Sequence, residues 1–151
     1  MRFLIQRVVG AKVTVDGKTV GEIKQGFVVL VGVREADTQA IAEKMVKKML
    51  ALRIFQDSQG KTNLSLGQVG GELLLVSQFT LYADMRGGNR PSFIRAGDPA
   101  KAQELYDHCV KLCRVSVPVV ETGIFGAEMD IELVNAGPFT VMLDSDELWP
   151  A

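Results

Sequence analysis

Two short apolar runs set the terms on which this chain can fold. Phe27-Val28-Val29-Leu30-Val31-Gly32-Val33 and Leu73-Leu74-Leu75-Val76 contain no polar side chain and no alternation. A strand with one wet face alternates, whereas an unbroken apolar strand is covered on both faces. Both runs fall far short of the ~20 residues that cross a bilayer. The rest of the chain must therefore wrap a central sheet on two sides. Its 151 residues suffice, because a domain of this size buries about 68–70 % of its unfolded surface and needs neither disulfide nor metal to hold. No linker and no internal repeat interrupts it, so residues 1–151 read as a single domain.

Local signals fill in the wrapping. Asp16-Gly17, between Val13/Val15 and Val20/Ile23, predicts a hairpin, and Gln25-Gly26 turns the chain into the first buried strand. Asp37 or Thr38 can cap a helix whose apolar stripe is Ile41, Met45, Met49 and Leu52, with Lys44, Lys47 and Lys48 on solvated faces. Arg53-Ile54-Phe55 predicts a short strand, followed by a turn at 57–60. Gly70-Gly71 precedes the second buried strand. Residues 82–97 have no period and predict a long, ordered loop, the kind that carries function. Asp98-Pro99 opens a second helix, expected to run to about Arg114 with Leu105, Cys109, Val110 and Cys113 inward. Met129–Asn135 and Phe139–Leu143 predict two strands joined by Ala136-Gly137-Pro138. The fold class expected is α/β in the broad sense (α+β): one curved mixed sheet or barrel-like core with two helices packed outside it.

Charge and composition narrow the chemistry. The net charge is −1, with eleven Lys/Arg against seven Asp/Glu in residues 1–75 and six against eleven in residues 76–151. Contact with nucleic acid must then come from a local patch and not from the overall field. Cys109 and Cys113 share a helix face and read as small buried apolar residues; with His108 they are too few for a metal site. His108 is the only histidine, so a Ser-His-Asp device has one base to draw on, and it lies on a packing face. Neither a phosphate-binding Gly-Lys-Ser/Thr loop nor a dinucleotide glycine motif is present. Arg7 interrupts the apolar start too early for a signal peptide, so a cytoplasmic protein with no membrane partner is expected.

Two segments remain as candidates. Ser77-Gln78-Phe79-Thr80-Leu81 ends a buried strand in polar side chains around an aromatic, which either furnishes a pocket or bonds locally to backbone while Phe79 packs. Asn135-Ala136-Gly137-Pro138-Phe139-Thr140 is either a hairpin turn or the site of a cis X–Pro bond.

Together these two segments resemble the signature motifs of the D-aminoacyl-tRNA deacylase (D-tyrosyl-tRNA deacylase) family. Ile5-Gln6-Arg7-Val8, Gly88-Asn89-Arg90-Pro91-Ser92-Phe93 and Thr122-Gly123-Ile124-Phe125-Gly126-Ala127-Glu128-Met129 resemble three further stretches of it, in the same order along essentially the whole chain. The sequence departs from the family at Ala136, where Asp is usual, at Phe139, where Val is common, and at Gly87, often Lys. The resemblance implies a cofactor-free and metal-free homodimer with its active sites at the subunit interface, acting on the aminoacylated 3′ end of tRNA. It implies hydrolysis of D-aminoacyl esters and of glycine mischarged on tRNA, with L-aminoacyl-tRNA rejected. By the same resemblance Ser77, Gln78, Phe79 and Thr80 are the catalytic residues. Gly137 and Pro138, joined by a cis bond, enter the partner's pocket and select chirality, and Arg7 orients them. Phe125, Gly126 and Met129 line the adenosine side, and Arg86, Arg90 and Arg95 are expected to touch tRNA.

These residue types suit that chemistry. Glycine lets backbone approach closely, and a rigid backbone wall rejects L side chains while admitting glycine. Backbone N–H groups near Phe79 and Thr80 can hold a tetrahedral oxyanion, a contribution of about 2.7–4 kcal/mol per donor elsewhere. Three other readings compete. A binding module without turnover is disfavoured by intact Gln78, Thr80 and Gly137-Pro138, a synthetase editing domain by a chain ending at Ala151, and a Ser/Thr esterase by the placing of His108.

Overall fold

The structure is a computed structural model that describes residues 1–151 apart from the side chain of Pro138. The chain runs β1 (Arg2–Val15), β2 (Lys18–Ile23), β3 (Gly26–Gly32), α1 (Gln39–Leu50), β4 (Phe55–Gln56), β5 (Thr62–Leu64), β6 (Glu72–Ser77), α2 (Pro99–Ser116), β7 (Val120–Thr122), β8 (Asp130–Asp144) and α3 (Ser145–Leu148). Six strands form one mixed sheet in the order β2-β1-β3-β6-β7, with β8 on the other edge of β1, while β4 and β5 pair separately. β3, β6 and β7 are parallel. β1 is long enough to share one edge between two partners, residues 2–8 with β3 and 11–15 with β2. The sheet then curls until β2 meets β7, so closely that a Cβ on Gly21 would stand 2.8 Å from the Thr122 carbonyl oxygen. The result is a nearly closed barrel.

The unbroken apolar runs have the expected cause. Phe27, Val29, Val31, Leu73 and Leu75 face a core shared with α1 and α2, whereas Val28, Leu74 and Val76 face a second core inside the curl. Helix positions follow from their caps. Thr38 Oγ1 accepts from Ile41 N, and Asp98 accepts from Ala100 and Lys101 N with Pro99 at the first turn. Asp16 and Gly17 take φ of 49° and 76°, the left-handed pair that a two-residue hairpin needs.

Three expectations are corrected. Residues 130–144 are one strand, not two joined by a turn: both halves pair antiparallel with β1, which is long enough to take them in line. The ladder goes from Gln6 opposite Thr140 to Val8 opposite Asn135, so Arg7 alone stands against residues 136–139. A further irregularity follows between Val8 and Gly10. Across these bulges the inward residues change core: Phe3, Ile5 and Leu143 face the helices, while Val8, Ala11 and Val13 face the barrel interior. The second helix runs past Arg114 to Ser116. A short third helix, capped by the Asp144 carboxylate on Asp146 N, was not signalled by any apolar period. The cis bond expected at Gly137-Pro138 lies outside the described residues.

Asp144 ties the two ends of the chain together. Its Oδ2 accepts from Arg2 Nε at 2.7 Å and its Oδ1 from Asp146 N at 2.9 Å. Burial opposes its ionisation, but the Arg2 and Asp146 donors outweigh burial and hold its carboxyl below the usual range. A lowered carboxyl adds stability above its unfolded pKa, about 3.9, and loses that contribution as pH falls through the folded value. The midpoint of thermal unfolding is expected to drop below about pH 4 in the parent protein, and the drop should be shallower in Asp144→Asn, which is already weaker at pH 7. Parallel curves would contradict this.

Candidate active site

Parallel strands that end together leave a crevice beyond their carboxyl ends. Here β3 and β6 end side by side, and a cleft of about 740 Å³ opens above them. Its floor is Val31, Val76 and Ser77; one wall is Phe125, Gly126 and Met129; the other is Phe93, Gly97 and the start of α2. The backbone leaves β6 because Gln78 abandons the ladder at φ −147°, ψ 86°, while Gln78 N still bonds Val31 O at 2.8 Å. A 3₁₀ turn, Phe79–Tyr82, follows at once. Its first internal bond is Leu81 N to Gln78 O at 3.3 Å. The N–H groups of Phe79 and Thr80 precede that bond, so they are the donors that such a turn leaves free.

Side chains fix this turn from below and beside. Arg2 Nη1 donates to Leu81 O at 2.8 Å, and its guanidinium lies 4.7 Å from the centre of the buried Tyr82 ring. Burial pushes the Tyr82 phenol up, so it stays neutral. Gln78 Nε2 donates to Thr80 Oγ1 at 2.5 Å. Phe79 is 57 % exposed and meets Phe93 edge to face with centroids 5.0 Å apart. Phe125 tilts against Tyr106 at 6.1 Å, and Tyr106 is anchored by its hydroxyl on Leu75 O at 2.8 Å.

The structure thus brings six of the expected residues to one cleft: Ser77, Gln78, Phe79, Phe125, Gly126 and Met129. Thr80 is exposed and reaches the group through Gln78. Arg7 and Gly137 do not line the cleft; they meet each other on β1 and β8. Arg7 is 8 % exposed, with Nε on Ala136 O at 3.1 Å, Nη1 on Ile54 O at 2.6 Å and Nη2 on Gly137 O at 3.5 Å. The Phe139 ring lies 4.5 Å from its guanidinium. Arg86, Arg90 and Arg95 are all exposed. Arg86 is engaged with Asp84 at 2.6 Å and holds that carboxyl well below the usual range.

Tyr106 was missed as a lining residue because its spacing reads as helix core, which it also is. Phe93 was part of a recognisable stretch without an assigned role. Among the described residues no group of three or more His, Cys, Asp or Glu could hold a metal ion, and no helix is long and apolar enough to cross a membrane. Burial pushes the Cys113 thiol up to about 12 and Cys109 up as well, leaving both as neutral packing groups.

Residues 4–144 match the model of a family described as D-Tyr-tRNA(Tyr) deacylase. A D-aminoacyl-tRNA deacylase of Thermomicrobium roseum is 55 % identical, the match covering 98 % of this chain and 96 % of that protein. One of Clostridium acetobutylicum is 49 % identical over 99 % of this chain and all of its own length. Among solved structures, the c-Myc DNA Unwinding Element Binding Protein superposes with a TM-score of 0.89 at 38 % identity, covering 95 % of this chain and 98 % of its own.

Proposed function

This chain belongs to the D-Tyr-tRNA(Tyr) deacylase family, and from that premise we propose how its two separate clusters act as one site. It is a hydrolase of the aminoacyl-tRNA ester, a D-aminoacyl-tRNA deacylase. The 3′-terminal adenosine enters the cleft against Phe125, Gly126 and Met129, where base stacking on an aromatic contributes about 1–3 kcal/mol. Water, positioned with help from the adenosine 2′-hydroxyl, adds to the ester carbonyl. The N–H groups of Phe79 and Thr80 hold the oxyanion. Collapse breaks the bond to the ribose oxygen, which takes up a proton, and releases free amino acid and tRNA. Ser77 and Gln78 orient the substrate, and Gln78 fixes the Thr80 hydroxyl. Thr80 is not read as a nucleophile, since the partner of its hydroxyl is the Gln78 amide, a donor that cannot act as a base.

Chirality comes from a second copy of the chain. The Gly137-Pro138 segment of one subunit, with a cis bond, enters the partner's cleft and occupies the space an L side chain would need. Glycine on tRNA has no β-carbon and is hydrolysed too. Two features support this. A Cβ on Gly137 would meet nothing nearer than Asn135 Oδ1 at 3.5 Å, so its own subunit gives no reason for glycine there. The same strand pair also presents Val9, Val134 and Met142 to solvent, an apolar surface that suits burial against a second subunit. The exposed Arg90 and Arg95 remain candidates for phosphate contacts, and the cytoplasm, where tRNA is charged, is the fitting compartment.

The observation that carries this reading is the Phe79–Tyr82 turn, which starts at the edge of the cleft and leaves the Phe79 and Thr80 N–H groups ahead of its first internal bond. Purified protein is expected to release D-tyrosine from D-Tyr-tRNA and to leave L-Tyr-tRNA intact, as a dimer by sedimentation. Equal rates on the two substrates, or full D-selectivity from a monomer, would overturn it.

A further inference from the structure

Asn135 stands at the last ladder pair before β8 bulges away from β1. Its Nδ2 donates to Arg7 O at 3.2 Å and to Phe139 O at 3.1 Å. Both partners are carbonyls and can only accept, so the amide must turn its nitrogen toward them. One side chain therefore joins the two ends of the segment 136–139 to each other and to β1. The Phe139 backbone so held places the Phe139 ring 4.5 Å from the Arg7 guanidinium. The guanidinium in turn donates to Ala136 O and Gly137 O. The connections run from Asn135 to Phe139, from Phe139 to Arg7 and from Arg7 back to Asn135 through the Arg7 carbonyl, with Gly137 held from the Arg7 guanidinium. Cation–π attraction strengthens when the pair is desolvated, as Arg7 is at 8 % exposure. Removing the amide donors would undo both of these ties and release the ring.

We propose that Asn135 is a positioning residue for chiral selection, acting through Phe139 and Arg7 to fix where the Gly137 carbonyl points. This rests on the reading of Gly137 as the chiral wall. Phe139 then has a stated purpose: it covers the guanidinium with an aromatic face.

The test is the ratio of kcat/KM on L-Tyr-tRNA to that on D-Tyr-tRNA. Asn135→Asp keeps the shape and removes both donors. It is expected to raise the ratio about tenfold, the scale of the lost hydrogen bonds, with KM for D-Tyr-tRNA unchanged. A merely structural role would lower the melting temperature and leave the ratio alone. In the Arg7→Ala background the Asn135→Asp change should add little, because the two act along one path. Should Asn135→Asp fail to fold, Asn135→Ala removes the donors without adding charge and is read the same way. Gly137→Ala separates the two levels. If Gly137→Ala destroys selectivity while the Asn135 variants retain it, the role of Asn135 is overturned. If Gly137→Ala also retains selectivity, the chiral wall itself is wrong and this proposal falls with it.

Discussion

Arg7→Ala is expected to lower D-Tyr-tRNA hydrolysis about 100-fold and to let L-Tyr-tRNA hydrolysis become measurable. The guanidinium serves three carbonyls, Ala136, Gly137 and Ile54, from an almost fully buried position. Hydrogen bonds from a charged donor contribute about 1.5–3 kcal/mol each, so alanine leaves the bulge without its main support. A displacement of about 1 Å in a positioned group can cost 10²-fold in rate, and the chiral wall proposed at Gly137 depends on such placement. Arg7→Lys is expected to rescue little, since one ammonium cannot reproduce a planar fork. Single-turnover assays on both substrates, with circular dichroism to verify the fold, decide it. Wild-type selectivity in Arg7→Ala would show that the bulge holds its shape unaided.

Gly26→Ala is expected to be the most damaging single methyl group for stability. A Cβ there would lie 1.8 Å from Glu72 O and 2.6 Å from Glu72 N. These are backbone atoms of the paired strand, so no rotamer change relieves the overlap. Overpacking by side chains costs about 1–3 kcal/mol; a backbone clash should reach at least the upper end. At about 2–4 °C per kcal/mol for a chain of this length, the melting temperature should fall by about 6–12 °C or more, or the protein should be recovered insoluble. Gly67→Ala, with nothing within 4 Å of its Cβ, should melt with the parent. Equal melting of all three proteins would mean that β3 and β6 can part at their start without cost.

These two positions show what was and was not legible in the sequence. The buried strands could be read because covering both faces erases polar alternation locally, and the Asp16-Gly17 and Asp98-Pro99 signals act within a few residues. The polar end of β6 could be read for the same reason, since Ser77 and Gln78 break an apolar run at one point. By contrast, Ala136-Gly137-Pro138 looks like a turn because turn residues are all it contains. Whether the chain reverses there or continues is decided by β1, more than a hundred residues earlier, which offers a partner to both halves. Gly26 gives no local sign of its importance, because the atoms that exclude a side chain belong to Glu72.

The pairing of β1 with β8 also sets an order of assembly. β1 is translated well before residues 130–144, the partner for one whole edge, arrive. At about 5–20 residues per second the roughly 115 intervening residues leave that edge open for about 6–23 s. β2 and β3 can close the opposite edge early, being hairpin neighbours, while closing the outer one carries the loop entropy of nearly the full chain. An unpaired edge is a template for other chains, so this interval is when the nascent protein most needs protection. The bulge carrying Gly137, held as it is between Arg7 and Asn135, must be the last part of the site to take shape. On the proposed role of Gly137, truncated translation products would carry the cleft floor but lack the wall that tells one hand of amino acid from the other.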